Sequence, residues 1–269
     1  MQEFKIIGHI DLPERKIRPE EYRNFLEAQM RDLQSSVNEE FGYHLLDEEN
    51  KISIEGGPDT ESDQKFISDL ETNWATQERK TVEEWQKSKD RNPSTIAELA
   101  ITLVLHKLLG NRFIVARAST FDDYKHHVDN VLIDKETGAV VCGFDEVLGF
   151  TGDDGSEKKD KKIKENLSRG GTSLKYGATI VDGKVERKSL ENIPTFFLSL
   201  SKEELSSLLV DLKSNKLPTE AEKKIVLKMI ASLESQYDDA KKIAINNNLN
   251  KNLDKFAASL EIIKNQINQ

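Results

Sequence analysis

Cysteine is nearly missing from this sequence: Cys142 is the single one among 269 residues, which excludes an internal disulfide and a cysteine-built zinc site. It lies in an apolar run, where a thiol is expected to be inert core. Nowhere do roughly 18 apolar residues follow one another, so no membrane-spanning helix is expected. The opening MQEFKIIGHIDLPERK lacks the basic start, apolar stretch and small-residue cleavage site of a secretory signal, and a cytoplasmic location is the expectation. Basic charge is also scarce, with 39 Lys+Arg against 48 Asp+Glu and a net charge of −9. The excess acid sits in residues 1–100, where 23 acidic residues face 13 basic ones. A globally basic, nonspecific nucleic-acid surface is therefore not expected, although a local basic patch is compatible with these numbers. Aromatics are only 7% of the chain, yet 36% is hydrophobic and falls in periodic runs, as a folded core requires.

The length suits one large domain or two small ones. After a β-like start (Ile6, Ile7, Ile10, Leu12), Tyr22, Phe25, Leu26, Met30, Leu33, Val37 and Phe41 recur at helical spacing between Pro19 and Gly42. Phe66, Ile67, Leu70, Trp74, Val82 and Trp85 predict a second helix, with a short strand and loop between the two. NPSTIAELAITLVLHKLLGNR predicts a buried helix, capped by Ser94 or Thr95 and stopped at Gly110. Three strand-like runs follow at 112–119, 127–135 and 139–147, the last two joined by a KETG turn. A polar, lysine-rich segment predicts a short helix, SLKYGATIVDGKVERKS a hairpin around Asp-Gly, and IPTFFLSLS a further strand. Beyond Ser201 the pattern is helical again, opening on a Ser201–Glu204 capping box, while INNNLNKN is expected to be a loop or linker. The expected division is a helical N-terminal extension over 1–92, an α/β core over 93–200 and a C-terminal helical extension over 201–269, with one integrated domain as the alternative. Ile225, Met229 and Leu233 form a stripe on the helix expected over 218–245, available for internal packing or for a homodimer or other protein partner.

The acidic residues of the core decide what chemistry to look for. With alternating side chains and an antiparallel hairpin, Asp129 and Asp145 fall together at the open end of the second and third runs. Two adjacent half-buried carboxylates repel, raising a pKa or calling for a cation. Mg2+ or Mn2+ suits an all-oxygen site of this kind, completed by waters and a substrate phosphate. A solvated strand end, where acids cost nothing, is the competing reading. Glu98, in the first turns of the buried helix, reads by itself as capping and dipole chemistry.

A helix bearing Glu98 (TIAELAITL), a three-stranded meander with Asp129 (HHVDNVLID) and Asp145 (VCGFDEV), then a helix and a strand, resembles the PD-(D/E)XK nuclease superfamily over residues 93–200. The resemblance implies a mixed central sheet in restriction-endonuclease-like α-β-β-β-α-β order with helices at both ends. It implies Asp129 and Asp145 as metal ligands with Glu98 completing the cluster, Mg2+ or Mn2+ as cofactor, and DNA or RNA as partner. The family's lysine, two residues beyond the second acid, is replaced by Val147. Lys175 on the next strand is the first substitute, with Lys162 or Lys164 behind it, and a bulge could bring Glu146 inward. The alternative is a catalytically inactive nuclease fold used for binding or scaffolding, which the missing lysine favours. Asp122 and Asp123 read as outer groups or a polar turn. His126 and His127, placed on a strand, would face opposite ways. KKDKKIK (158–164) reads as a solvated helix face, and SRGGTS as a helix end rather than a phosphate loop.

Overall fold

A computed structural model describes residues 18–41, 45–57, 59–149 and 154–268, the side chains of 154–159 excepted. The β-like start expected near Ile6 lies outside these residues. The N-terminal helices are α1 (Arg23–Phe41), α2 (Thr60–Gln77) and α3 (Val82–Asp90). A single helix was expected where α2 and α3 stand. The chain breaks because Arg79 takes a left-handed φ of 56° and Thr81 closes a capping box with Glu84, whose backbone and side chain both bond Thr81. Next comes α4 (Pro93–Leu109), capped by Asn92 rather than by Ser94 or Thr95; Asn92 accepts from the Ser94 N–H, and Pro93 at the first position needs no acceptor.

The core continues with β1 (Phe113–Arg117), α5 (Thr120–His126), β2 (Asn130–Asp134), β3 (Val140–Leu148), α6 (Asp154–Ser168), β4 (Thr172–Val181), β5 (Lys184–Ile193) and β6 (Thr195–Leu200). One mixed sheet has the order β1-β2-β3-β6, its first two pairings antiparallel and β3 parallel to β6. β4 and β5 form a separate two-stranded sheet, turned at Asp182-Gly183 with both φ values positive. The C-terminal helices are α7 (Lys202–Ser214), α8 (Glu220–Ile243) and α9 (Asn247–Ile267). The Asn-rich segment expected to be a linker instead opens α9: the Asn246 side chain accepts from the N–H groups of Asn248 and Leu249.

This is an α/β chain with a mixed four-stranded sheet and helices packed around it. One continuous apolar cluster runs from Leu26 on α1 through the sheet to Ile267 on α9. α4 carries almost no charge in its middle because it is buried nearly all round, with Ile96, Ala100, Ile101 and Val104 fully covered. Phe196 of β6 stacks on Phe256 of α9 at 4.3 Å, fixing the C-terminal helix to the sheet. The stripe Ile225, Met229 and Leu233 is buried within the chain, where α8 packs on α9 and β6, so it presents no face for a homodimer. Among the described residues no helix is long and apolar enough to cross a membrane.

Candidate active site

The β2–β3 register is Asn130↔Phe144 and Val131↔Gly143, so Asp129 and Asp145 lie one step outward from the last registered pair. There Asp129 leaves the regular ladder: its N–H donates to the Phe144 carbonyl at 2.8 Å, and its carboxylate accepts from the Glu146 N–H at 2.7 Å. Glu146 is on the same face as Phe144 and Asn130, turned towards α4. Asn130 Nδ2 donates to its Oε1 at 2.7 Å, and Thr102 of α4 donates to Asn130 Oδ1 at 3.1 Å. Thr102 also bonds the Glu98 carbonyl one turn earlier, which places Glu98 over this end of the sheet.

An open cleft of about 460 Å³ results, walled by Glu98, Asp123, Asp129, Asp145, Glu146 and Lys162, with His127 on its rim. The three acids singled out from the sequence thus line one cleft, joined by Asp123 and Glu146. Loss of hydration and then the charges of Glu98, Asp123 and Asp145 push the Asp129 carboxyl up to about 8. Burial and then Asp129 hold Glu146 well above the usual carboxylate range, and the two carboxyls share a hydrogen bond. Glu98 is raised by burial, against the opposing pull of Arg117, whose guanidinium is 3.7 Å away. His127 is lowered by loss of hydration and then by Lys162.

Several expected placements are corrected. Asp122, Asp123 and the two histidines are not on a loop and strand: α5 occupies that connection, with His126 as its last residue and His127 as its left-handed C-cap at φ 56°. Asp122 is a buried structural anchor, accepting from Ser119 Oγ at 2.7 Å and from the backbone N–H groups of Lys175 and Tyr176 at 2.7 and 3.1 Å. Asp123, one residue on, reaches the cleft. Lys175 is held elsewhere, its Nζ 2.6 Å from Asp63 and 3.4 Å from Asp59, because β4 is not a neighbour of β3. Lys164 pairs with Asp160 and Asp239 on an exposed face. Among the described side chains of α6, Lys162 lines the cleft, and Val147 also lies on its wall. Cys142 is fully buried, its pKa pushed up by burial. Asp123 was expected only as an outer group or part of a polar turn, and α5 was missed, although Ser119-Thr-Phe-Asp122 carries the S-x-x-D pattern of a helix start.

The donor set is all carboxylate oxygen, the chemistry that hard cations such as Mg2+ and Mn2+ prefer. Among the described residues, no group of three or more His, Cys, Asp or Glu side chains stands close enough to enclose a metal ion; the acids line the walls of an open cleft. No family model matches the chain, and neither a curated protein nor a solved structure matches it.

Proposed function

We propose that the chain is a divalent-metal-dependent nuclease acting on nucleic-acid phosphodiester bonds. The observation that carries this reading is the convergence of Glu98, Asp123, Asp129, Asp145 and Glu146 on one cleft, with Asp129 raised to about 8. Acids that repel at this cost are retained where a cation or a proton has work to do. Topology supports it: α4, β1, β2, β3, α6 and β6 succeed one another along the chain as α-β-β-β-α-β, with α5 and the β4–β5 hairpin between them.

Asp129 and Asp145 would hold Mg2+ or Mn2+, with Glu98 and Glu146 completing the cluster. When bound, the ion supplies Lewis-acid polarisation of a phosphate oxygen and compensation of its charge. Lys162, which lines the cleft together with Val147, would supply the positive charge towards a bound phosphate, and Lys175 has no part in it. His127, kept neutral by its lowered pKa, accepts a proton from the attacking water. Water adds to phosphorus, one P–O bond breaks, the leaving oxygen takes a proton from solvent while His127 returns its own to solvent, and the products are a phosphomonoester and a hydroxyl.

Val147, buried where the family lysine would stand, favours a second reading: an inactive fold that binds without cutting. Calorimetric titration with Mn2+ separates the two. The nuclease reading expects a saturable site in the wild type that Asp129→Asn and Asp145→Asn each abolish. No heat in the wild type, or unchanged heat in both variants, would overturn it.

A further inference from the structure

A second cavity, of about 430 Å³, opens between α1, α3, α4, α5 and the segment 48–51. Its floor is built by a backbone device. Asp47 Oδ1 accepts from the N–H groups of Glu49 and Lys51, turning the chain through a left-handed Asn50. Lys51 then pairs in parallel with Arg117 at the edge of β1: Arg117 N–H donates to the Asn50 carbonyl and Ile52 N–H to the Arg117 carbonyl.

Two cations therefore stand side by side in a covered place, an arrangement that like charges resist. Lys51 is only 5% exposed, and its pKa is lowered by burial and then by Arg117. Its Nζ donates to Thr120 Oγ1 at 3.1 Å. Carboxylates compensate the pair only at longer range, none of the ion pairs to it being shorter than 3.7 Å among the described residues. Lys51 is 3.8 Å from Asp123 and from Glu49, and Arg117 is 3.7 Å from Glu98 and 4.0 Å from Glu49. Glu49 is itself an exposed residue of the rim. Of the other acids of the wall, Glu27 and Asp90 are engaged by Arg23 and Glu71 by the Tyr124 hydroxyl, while Glu48 is exposed. An anion with several oxygens would satisfy both cations at once.

Aromatic rings adjoin the cations. Lys89 lies 5.7 Å from the Trp85 ring and 4.7 Å from that of Tyr124, and Trp74 meets both rings at 5.5 and 4.9 Å. This wall is shared with a further hollow that also includes Asp123 and His127, both of which line the acid cleft. Cations, aromatic rings and acids thus line three hollows joined by shared residues, taken together as a trough.

We propose that this trough binds single-stranded nucleic acid, with one backbone phosphate on Lys51 and Arg117 and a base against Tyr124 and the two tryptophans. Alternating cations and ring faces are what sequence-tolerant strand binding requires, and a duplex has no unstacked base to offer. The inference names the substrate class of the proposed nuclease and rests on that reading for its meaning, but binding is measured without it.

Trp74 and Trp85 are the only tryptophans in the chain, so their fluorescence reports occupancy. The full chain, in EDTA, is titrated with a single-stranded oligonucleotide of roughly ten nucleotides, the same sequence as duplex, a mononucleotide, and inorganic phosphate. We expect saturable quenching by the single strand, weaker quenching by the mononucleotide, and about tenfold weaker strand binding in Lys51→Gln and in Arg117→Gln. Trp85→Phe should also weaken binding, with Trp74 still reporting, while Asp129→Asn should bind at least as tightly as the wild type. No saturable quenching by the single strand, equal affinity for the duplex, or full affinity in both folded cation variants would overturn the proposal. Phosphate binding as tightly as the mononucleotide would overturn its aromatic half. Strand binding without any metal-dependent cleavage would leave it standing and remove the proposed activity instead.

Discussion

Replacing Asp129 with Asn keeps the shape and the acceptor for the Glu146 N–H but removes the charge that its neighbours resist. Its carboxyl moves from 3.8 to about 8 on folding, and at about 1.4 kcal/mol per unit the ionised form is disfavoured by several kcal/mol shared over the coupled acids. Because the folded-state pKa is the higher one, the folded protein binds more protons between pH 4 and pH 8. Stability therefore falls as pH rises through that window, and the full penalty is present above 8. If about a third of the penalty survives relaxation of the cleft, Asp129→Asn exceeds the wild type by about 2 kcal/mol at pH 9, or about 4–8 °C in Tm, and equals it near pH 4. Thermal denaturation in EDTA across pH 4–9 measures this directly. Excess Mn2+ should then raise the wild-type Tm more than that of the variant, by mass action. A stability difference that does not change with pH, or a variant less stable at pH 9, would refute the electrostatic reasoning.

Other outcomes follow from the packing. Lys107 meets the fully buried Glu222 at 2.7 Å, tying α4 to the start of α8, so Lys107→Ala should cost about 3 kcal/mol in urea unfolding by stranding the carboxylate. Phe256→Ala should cost about 3–5 kcal/mol by emptying the stack on Phe196, seen as a lower denaturation midpoint with an unchanged slope. Gly138 has φ +67° and an added Cβ would meet the Ile180 carbonyl oxygen at 1.7 Å, so Gly138→Ala should destabilise by more than about 1 kcal/mol and loosen the contact of the β2–β3 turn with β4, visible in amide exchange at Ile180.

What could be seen in the sequence was local. The uncharged run of α4, the alternation in β2 and β3, the Asp-Gly hairpin and the Ser201 capping box each reflect forces acting within a few residues, and each element stands where those forces put it. The nearness of Asp129 and Asp145 was legible only in part: the KETG turn makes the hairpin, but a one-residue register shift between Leu132 and Ile133 brings Asp129 level with Asp145. Lys175 was misplaced because strand neighbours need not be chain neighbours: β4 and β5 leave the main sheet, and β6 takes the edge beside β3. α5 escaped because seven residues give too little periodicity, leaving only its Ser119 cap to mark it. The Lys51–Arg117 pair could not be read at all, since it arises from a bridge between residues 66 positions apart.

Action of the acid cleft on a phosphodiester is the central claim. Incubating the purified chain with single-stranded DNA and RNA, with Mg2+ or Mn2+ and with EDTA, tests it most directly. Cleavage with the metals, loss of cleavage in EDTA, and loss in Asp129→Asn and Asp145→Asn that both remain folded is the predicted result. Cleavage retained by both variants, or no cleavage of either nucleic acid with either metal, would contradict it.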